Sequence, residues 1–195
     1  DSRFTIAFGG DLIYQQNSDG LRWFLERVLP FMASGGQGPV LSSRLDIVSI
    51  TKPKWLFRFV TVNQFPELNI HSDADVFAPK VYANADVFVA PIRVRGGVQI
   101  KVLEAMAVKT PIVATSHCAK AIGAENGKHL LVADKPQDFA AAILRLLSDK
   151  KLSDRIRENA FKFVGQKFSW EDQSDRLREI YKDRVVSSHS HFSSH

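Results

Sequence analysis

The stretch Ala90-Pro-Ile-Arg-Val-Arg-Gly-Gly-Val-Gln-Ile-Lys-Val-Leu-Glu-Ala-Met-Ala107 decides how the chain is read. Before it, Asp86-Val-Phe-Val-Ala90 reads as a buried strand stopped by Pro91. After it, Gly97 to Lys109 reads as a helix, and Pro111-Ile-Val-Ala-Thr115 as the next strand. A strand that runs through a diglycine bend into a helix leaves free amides and a positive dipole end at the bend, an arrangement suited to an anion. Arg93 and Arg95 add charge beside it, and Lys101 lies about one turn into the helix. Together they could hold a diphosphate. Glu104 suits no phosphate, but a carboxylate accepts two hydroxyl hydrogens at once, as a ribose diol requires. The plainer alternative is a turn at Gly96-Gly97 with Lys101 and Glu104 as a surface pair on the helix. The G-x-G-x-x-G and Walker patterns are both absent.

The same alternation extends outward. Phe4-Thr-Ile-Ala-Phe8 reads as a strand ended by Gly9-Gly10, Asp19 to Met32 as an amphipathic helix capped by Ser18 or Asp19, Leu45 to Val48 as a second strand, and Leu68 to Ile70 as a third. Gly35 to Pro39 is loop by composition, and Lys54 to Val60 is ambiguous or a short helix. Leu130 to Val132 is the last strand. Helices over Pro136 to Asp149, Leu152 to Lys167 and Trp170 to Val185 form a C-terminal helical segment. Strands apolar on both faces, alternating with helices, predict an α/β, Rossmann-like parallel sheet with helices on both faces. Such sheets bind ligands beyond the carboxyl ends of their strands. The predicted domain is 1–186. The Ser/His-rich tail 187–195 reads as disordered.

The composition fits a single domain with a real core: 195 residues, 45% hydrophobic and 24% charged. No apolar run approaches the ~20 residues of a membrane span, and Asp1-Ser-Arg-Phe4 opens no signal peptide. The single Cys118 excludes an intrachain disulfide and suits a reducing, cytoplasmic setting. The net charge of +5 is spread among Asp and Glu without an aromatic-interleaved stripe, so nucleic acid is not an expected partner.

Pro91 to Thr115, with Val-Leu-Glu-Ala-Met-Ala107 followed by Thr-Pro-Ile-Val-Ala-Thr115, resembles the donor-binding signature of retaining GT-B glycosyltransferases of group 1, family four. Within them it is most similar to exopolysaccharide and exosortase-associated sugar transferases. Phe8 to Phe24, Tyr82 to Pro91 and Phe168-Ser-Trp170 are similar to further segments of the same family. The resemblance implies one half of a GT-B fold. It places Glu104 at the donor ribose, and Lys101 with the Gly96, Gly97, Val98 and Gln99 backbone at the diphosphate of a nucleotide sugar. Gly9 and Gly10 would pass close to the donor, Ser72 and Asp73 near the base, and Thr115 and His117 along the crevice floor. It implies no cofactor and no metal, and an N-terminal acceptor domain as partner, so the chain alone is not expected to transfer sugar. The catalytic residue is unknown. The chain also departs from the family: Gly97 stands where many relatives carry an acid, Ile100 where the subgroup has Asn, Ser49 and Ser72 where Gly is usual, and Asp73 where a base is common. A degenerate, non-catalytic nucleotide-binding domain and a ligand-free interaction module are the competing readings. Weak self-association through Trp170 to Val185 and peripheral membrane contact of a longer protein stay open.

Among the other residues, Cys118 reads as a small core or loop residue. Asp11 and Asp19 read as turn or cap residues, His71 and His129 as ordinary surface or strand residues, and Trp23, Phe24, Phe161 and Phe163 as core packing.

Overall fold

Six short strands form one parallel sheet in the order β3-β2-β1-β4-β5-β6. They are β1 (Thr5–Gly9), β2 (Arg44–Val48), β3 (Glu67–His71), β4 (Val87–Ala90), β5 (Ile112–Ala114) and β6 (Leu131–Val132). The structure is a computed structural model. It describes residues 4–33, 43–63, 67–72, 78–94 and 97–168. The expected loop at Gly35 to Pro39, the helix Trp170 to Val185 and the tail lie outside the described residues.

Side chains alternate across the sheet, because successive residues of a strand point to opposite faces. Ile6, Phe8, Leu45, Ile47, Val87, Val89 and Val113 make one face. They pack on α1 (Gln15–Trp23), on the π-helical segment Phe24–Val28 and α2 (Leu29–Ala33) that continue it, and on α7 (Pro136–Ser148). Phe139 of α7 meets the Trp23 and Phe24 rings edge-on at 5.4 and 6.3 Å. Ala7, Phe88, Ala90, Ile112 and Ala114 make the other face. The small alanines there leave room for α4 (Ala78–Ala83), α5 (Ile100–Ala107) and α6 (Ser116–Ile122). Two helices complete the described chain: α3 (Lys54–Asn63) and α8 (Lys150–Lys167). α8 starts where the Asp149 carboxylate accepts the Leu152 amide at 2.9 Å, and α6 stops at Gly123, whose φ of 71° is the left-handed C-terminal cap. No helix among the described residues is long and apolar enough to cross a membrane.

The sheet and its strand positions match the expectation from sequence to within a residue or so at each end. Four details differ. The first helix begins at Gln15, four residues early, so Ser18 and Asp19 do not cap it. Ser18 lies inside the helix, and its hydroxyl donates to the Leu12 carbonyl at 2.6 Å. α4 and α6 were not expected; each is a single short helix of six or seven residues, too brief for periodicity to register. Phe161 is exposed rather than core, and Lys109 lies over its ring at 4.7 Å. His129, read as an ordinary surface or strand residue, is buried beside the last strand. Its Nδ1 accepts the Glu125 amide at 3.1 Å, its ring stacks on Phe163, and burial pushes its pKa down.

Replacing Phe139 by Ala removes the ring that joins α7 to both Trp23 and Phe24. We expect a loss of about 3–5 kcal/mol in urea-induced unfolding, against less than ~1 kcal/mol for Ala at the exposed Ile50.

Candidate functional site

Between β1 and β4 the connections part: the chain leaves β1 toward β2 on one side and β4 toward β5 on the other. This is the topological switch point, where a parallel sheet leaves a crevice beyond its carboxyl edge. Gly9-Gly10 stands on one wall and the segment from Pro91 to the start of α5 on the other.

The β1 wall is held by a closed set of hydrogen bonds. The Gly10 amide donates to the Val48 carbonyl at 3.0 Å, with Gly10 at φ 131°, a conformation that excludes other residues without strain. The Asp11 carboxylate accepts the Thr51 amide at 3.0 Å, the Ile13 amide at 3.3 Å and the Ser49 hydroxyl at 3.3 Å. Burial pushes the Asp11 carboxyl up, but these hydrogen bonds outweigh it and hold the group below its ordinary value. The Ser49 hydroxyl also accepts the Leu12 amide at 3.0 Å and meets the Thr51 carbonyl at 2.7 Å. Ser49 is thus no gap in the pattern: it ties the loop after β2 to the loop after β1. Asp11 has the turn role read from the sequence.

The opposite wall differs from expectation in its helix start. α5 begins at Ile100, not at Gly97; Gln99 is its N-cap, its side chain makes no capping hydrogen bond, and its carbonyl accepts the Val102 amide at 2.9 Å. Gly97 and Val98 are exposed in the preceding loop, and Gln99 is buried with its amide nitrogen donating to the Gly97 carbonyl at 3.0 Å. Bulky Val98 and Ile100 cover no core here, which is why the apolar run misled the boundary. Arg95, Gly96 and Asp73 lie outside the described residues.

Lys101 does not pair along the helix with Glu104. It reaches across the crevice, where its ammonium donates to Asn17 Oδ1 at 2.5 Å and sits 5.7 Å from the Phe8 ring centroid. Burial pulls its pKa down to about 8, against the opposing influence of Cys118. A Cβ on Gly10 would fall 2.7 Å from that nitrogen and 2.8 Å from Asn17 Nδ2, so glycine is needed for space as well as for φ. Cys118 is buried beside it, with its thiol pushed by burial up to about 11, and so reads as the small core residue expected. Glu104, one turn further on, is half-buried and its pKa is raised by burial. It acts in turn on Tyr82, whose phenol burial and the Glu104 charge both push up. The Tyr82 hydroxyl occupies the position a Cβ on Gly9 would take. Lys101 is therefore turned to the end of β1, over Gly10, and Glu104 lies close enough to Tyr82, whose hydroxyl stands at Gly9, for its charge to act there.

The remaining candidates fall less neatly. Thr115 is buried, its hydroxyl donating to the Ile92 carbonyl and its amide to Ala90 at 3.3 Å, so its side chain braces β4 against β5. His117 is exposed in the first turn of α6, and Ser72 is half-buried just after β3. Arg93 lies 5.4 Å over the Trp23 ring. It points into a neighbouring cavity of about 750 Å³ shared with Arg22, Asp19, Arg27 and Lys135, on the α1–α7 side of the loop and away from Lys101 and Glu104. The desolvated cation, the half-buried carboxylate and the close glycines lie instead at the β1–β4 crevice, which we take as the site. Asn17 and Tyr82 were missed by the sequence reading. Asn17 had a signal, in the Asn-x-Asp at the head of α1, but its partner 84 residues away is invisible in sequence.

Residues 3–149 match the family model described as glycosyl transferases group 1. A 44.6 kDa protein of the cps region of Klebsiella pneumoniae is 25% identical over 183 residues, covering 92% of this chain and 45% of that protein. Among solved structures, HepE of Anabaena in complex with UDP-glucose superposes with a TM-score of 0.74 at 16% identity, over 93% of this chain and 49% of that one. The C-terminal domain of LpcC, a glycosyl transferase group 1 family protein from Francisella tularensis, superposes with a TM-score of 0.69 at 21% identity, over 86% of this chain and 87% of that one. At these identities the structural likeness is one of fold. The chain spans about half the length of the Klebsiella relative and of HepE.

The raised Glu104 pKa makes a prediction about stability. The group ionises at 4.5 in the unfolded chain and higher in the folded one, so its charge destabilises the fold increasingly as pH rises from about 4.5 through the folded value. Glu104→Gln is expected to raise the Tm at pH 7 and to leave it unchanged at pH 4. A lower Tm at pH 7 would mean that Glu104 is a stabilising surface residue.

Proposed function

Because the chain belongs to the group 1 glycosyl transferases, we propose that it is the donor-binding domain of such an enzyme, taking a nucleotide diphosphate sugar at the β1–β4 switch point. The observation that carries this reading is the pair Lys101 and Glu104. One desolvated ammonium and one half-buried carboxylate face the same crevice without neutralising each other. Opposite charges in one site would settle into an ion pair if structure were their only purpose. Held apart, they match a ligand that carries both an anionic group and a diol, spaced like successive turns of the helix. Lys101 and the first amides of α5 take the diphosphate, and Glu104 accepts the ribose hydroxyls. As the diphosphate departs, the same cation and amides offset its growing charge. Gly9 and Gly10 let the donor come close to the backbone.

Donor sugar transfer, of hexosyl type, then requires an acceptor held by a further domain, in keeping with a chain about half as long as its relatives. HepE was crystallised with UDP-glucose, which makes UDP the first donor to test. We propose cytoplasmic placement, in keeping with the lone reduced Cys118, and binding without metal or other cofactor. A second reading is favoured by Gly97, which has no atom of the described residues within 4 Å of the position of a Cβ and offers no side chain to a sugar. On that reading the domain binds nucleotide without supporting transfer; sugar transfer by a longer form of the protein containing the acceptor domain removes it.

Calorimetry on the chain separates these contributions. UDP is expected to bind, with affinity unchanged by EDTA. 2′-Deoxy-UDP is expected to bind about tenfold more weakly, through the lost hydrogen bond to a carboxylate. Glu104→Gln should erase most of that difference, and Lys101→Ala should weaken UDP and deoxy-UDP alike. No binding of UDP or GDP at millimolar concentration to the folded chain rules the donor site out.

A further inference from the structure

We propose that Asn17 is a positioning residue of the site: it holds the Lys101 ammonium over Gly10, at the place where the diphosphate arrives. This deepens the donor-site reading and rests on it. Asn17 is 4% exposed and sits on the first turn of α1, well away in sequence from the residues that define the site. A buried amide must have both its ends satisfied. Its Nδ2 donates to the Asp11 carbonyl at 2.9 Å and its Oδ1 accepts from Lys101 at 2.5 Å. The first bond fixes which way the amide faces, because only the oxygen end is then left for the crevice. Asp11 is itself held by Thr51, Ile13 and Ser49. The position of the ammonium is therefore set through Asn17 by the loops after β1 and β2, not by α5 on which Lys101 sits.

The choice of a neutral acceptor has a consequence. A carboxylate at position 17 would bind the ammonium more strongly, but would also neutralise it and repel a phosphate. An apolar residue would leave a buried ammonium with no acceptor. An amide oxygen steadies the cation and leaves its charge available. The other groups facing the ammonium fit this: the Phe8 ring from β1 offers a π face, the Cys118 thiol from α6 is held in its neutral form near pH 7, and Glu104 lies one turn on along the same helix, acting on Tyr82. The cation is thus partly satisfied, which suits a group whose final partner is a ligand.

The test is an NMR titration of the Lys101 side chain (assigned by its loss in Lys101→Arg) in the wild-type chain, in Asn17→Ala and in Asn17→Asp, run beside UDP titrations from pH 7 to 10. In the wild type, Lys101 is expected to titrate near 8, with UDP affinity falling as pH rises through that value. Asn17→Ala should titrate about one pH unit lower and Asn17→Asp about one higher. Asn17→Ala should bind UDP about twofold more weakly at pH 7, where its ammonium is half deprotonated, and nearly tenfold more weakly at pH 9, while Asn17→Asp should bind about tenfold more weakly at pH 7 by neutralising the cation. A residue that only stabilised the fold would lower the Tm and leave the Lys101 titration in place. Asn17→Asp is nearly isosteric and carries the test if Asn17→Ala does not fold. A Lys101 titration that is the same in all three chains, or UDP affinity untouched by both substitutions, overturns the proposal. If Lys101 shifts as expected but the wild type binds no UDP or GDP, the donor-site reading fails and the diphosphate role of Asn17 fails with it, while the contact itself stands.

Discussion

The divergence of the chain between β1 and β4 is the constraint from which the site follows. A parallel sheet needs helices on both faces, because its strands are apolar on both, and every crossover carries the chain from a carboxyl end back to an amino end. At most strand pairs one crossover covers the carboxyl edge. Where the direction of crossing reverses, no connection covers it. Gly9, Gly10 and the start of α5 meet in that gap. The rest of the molecule maintains it. Phe139 presses α7 and α1 onto one face, Tyr82 and Phe88 pack edge-on at 4.8 Å on the other, and Thr115 braces β5 to the strand that ends at the crevice.

Within the gap the protein accepts an electrostatic cost. Lys101 loses much of its hydration and Glu104 some of its own, and neither is compensated by the other. A stability-optimised surface would expose both or pair them. Keeping them desolvated and apart makes sense for a ligand that supplies the missing partners, a phosphate for one and hydroxyls for the other. The Asp11–Ser49–Thr51 ties act from the other side: they fix the glycine wall, which under the proposed function would present a donor with a preformed surface.

Most of the architecture was legible in the sequence because strand burial and helix amphipathicity are local patterns. Val87-Phe-Val-Ala90 and Ile112-Val-Ala114 announce themselves, as does Pro136 at the head of α7. α4 and α6 were not legible, being too short to show a period. The helix start at Gly97 was misplaced because glycine, valine and isoleucine after a strand look the same whether they open a helix or lead to one. Lys101 and Glu104 were recognised; the residue types alone left a donor site and a surface pair open, and the family resemblance favoured the donor roles.

By itself, then, the sequence determined the strand–helix alternation, the glycines at two strand ends and the identity of the cation and the carboxylate, since these depend on residue type and on neighbours within a turn. The tertiary structure decided that Lys101 turns to Asn17 rather than to Glu104, that Tyr82 fills the space beside Gly9, and that Ser49 joins two loops. Each of these brings together residues far apart in the chain, 38 positions for Ser49 and Asp11 and 84 for Lys101 and Asn17, and each depends on burial. Hydrogen bonding and desolvation act through space, and only a folded sheet determines which polar groups share it.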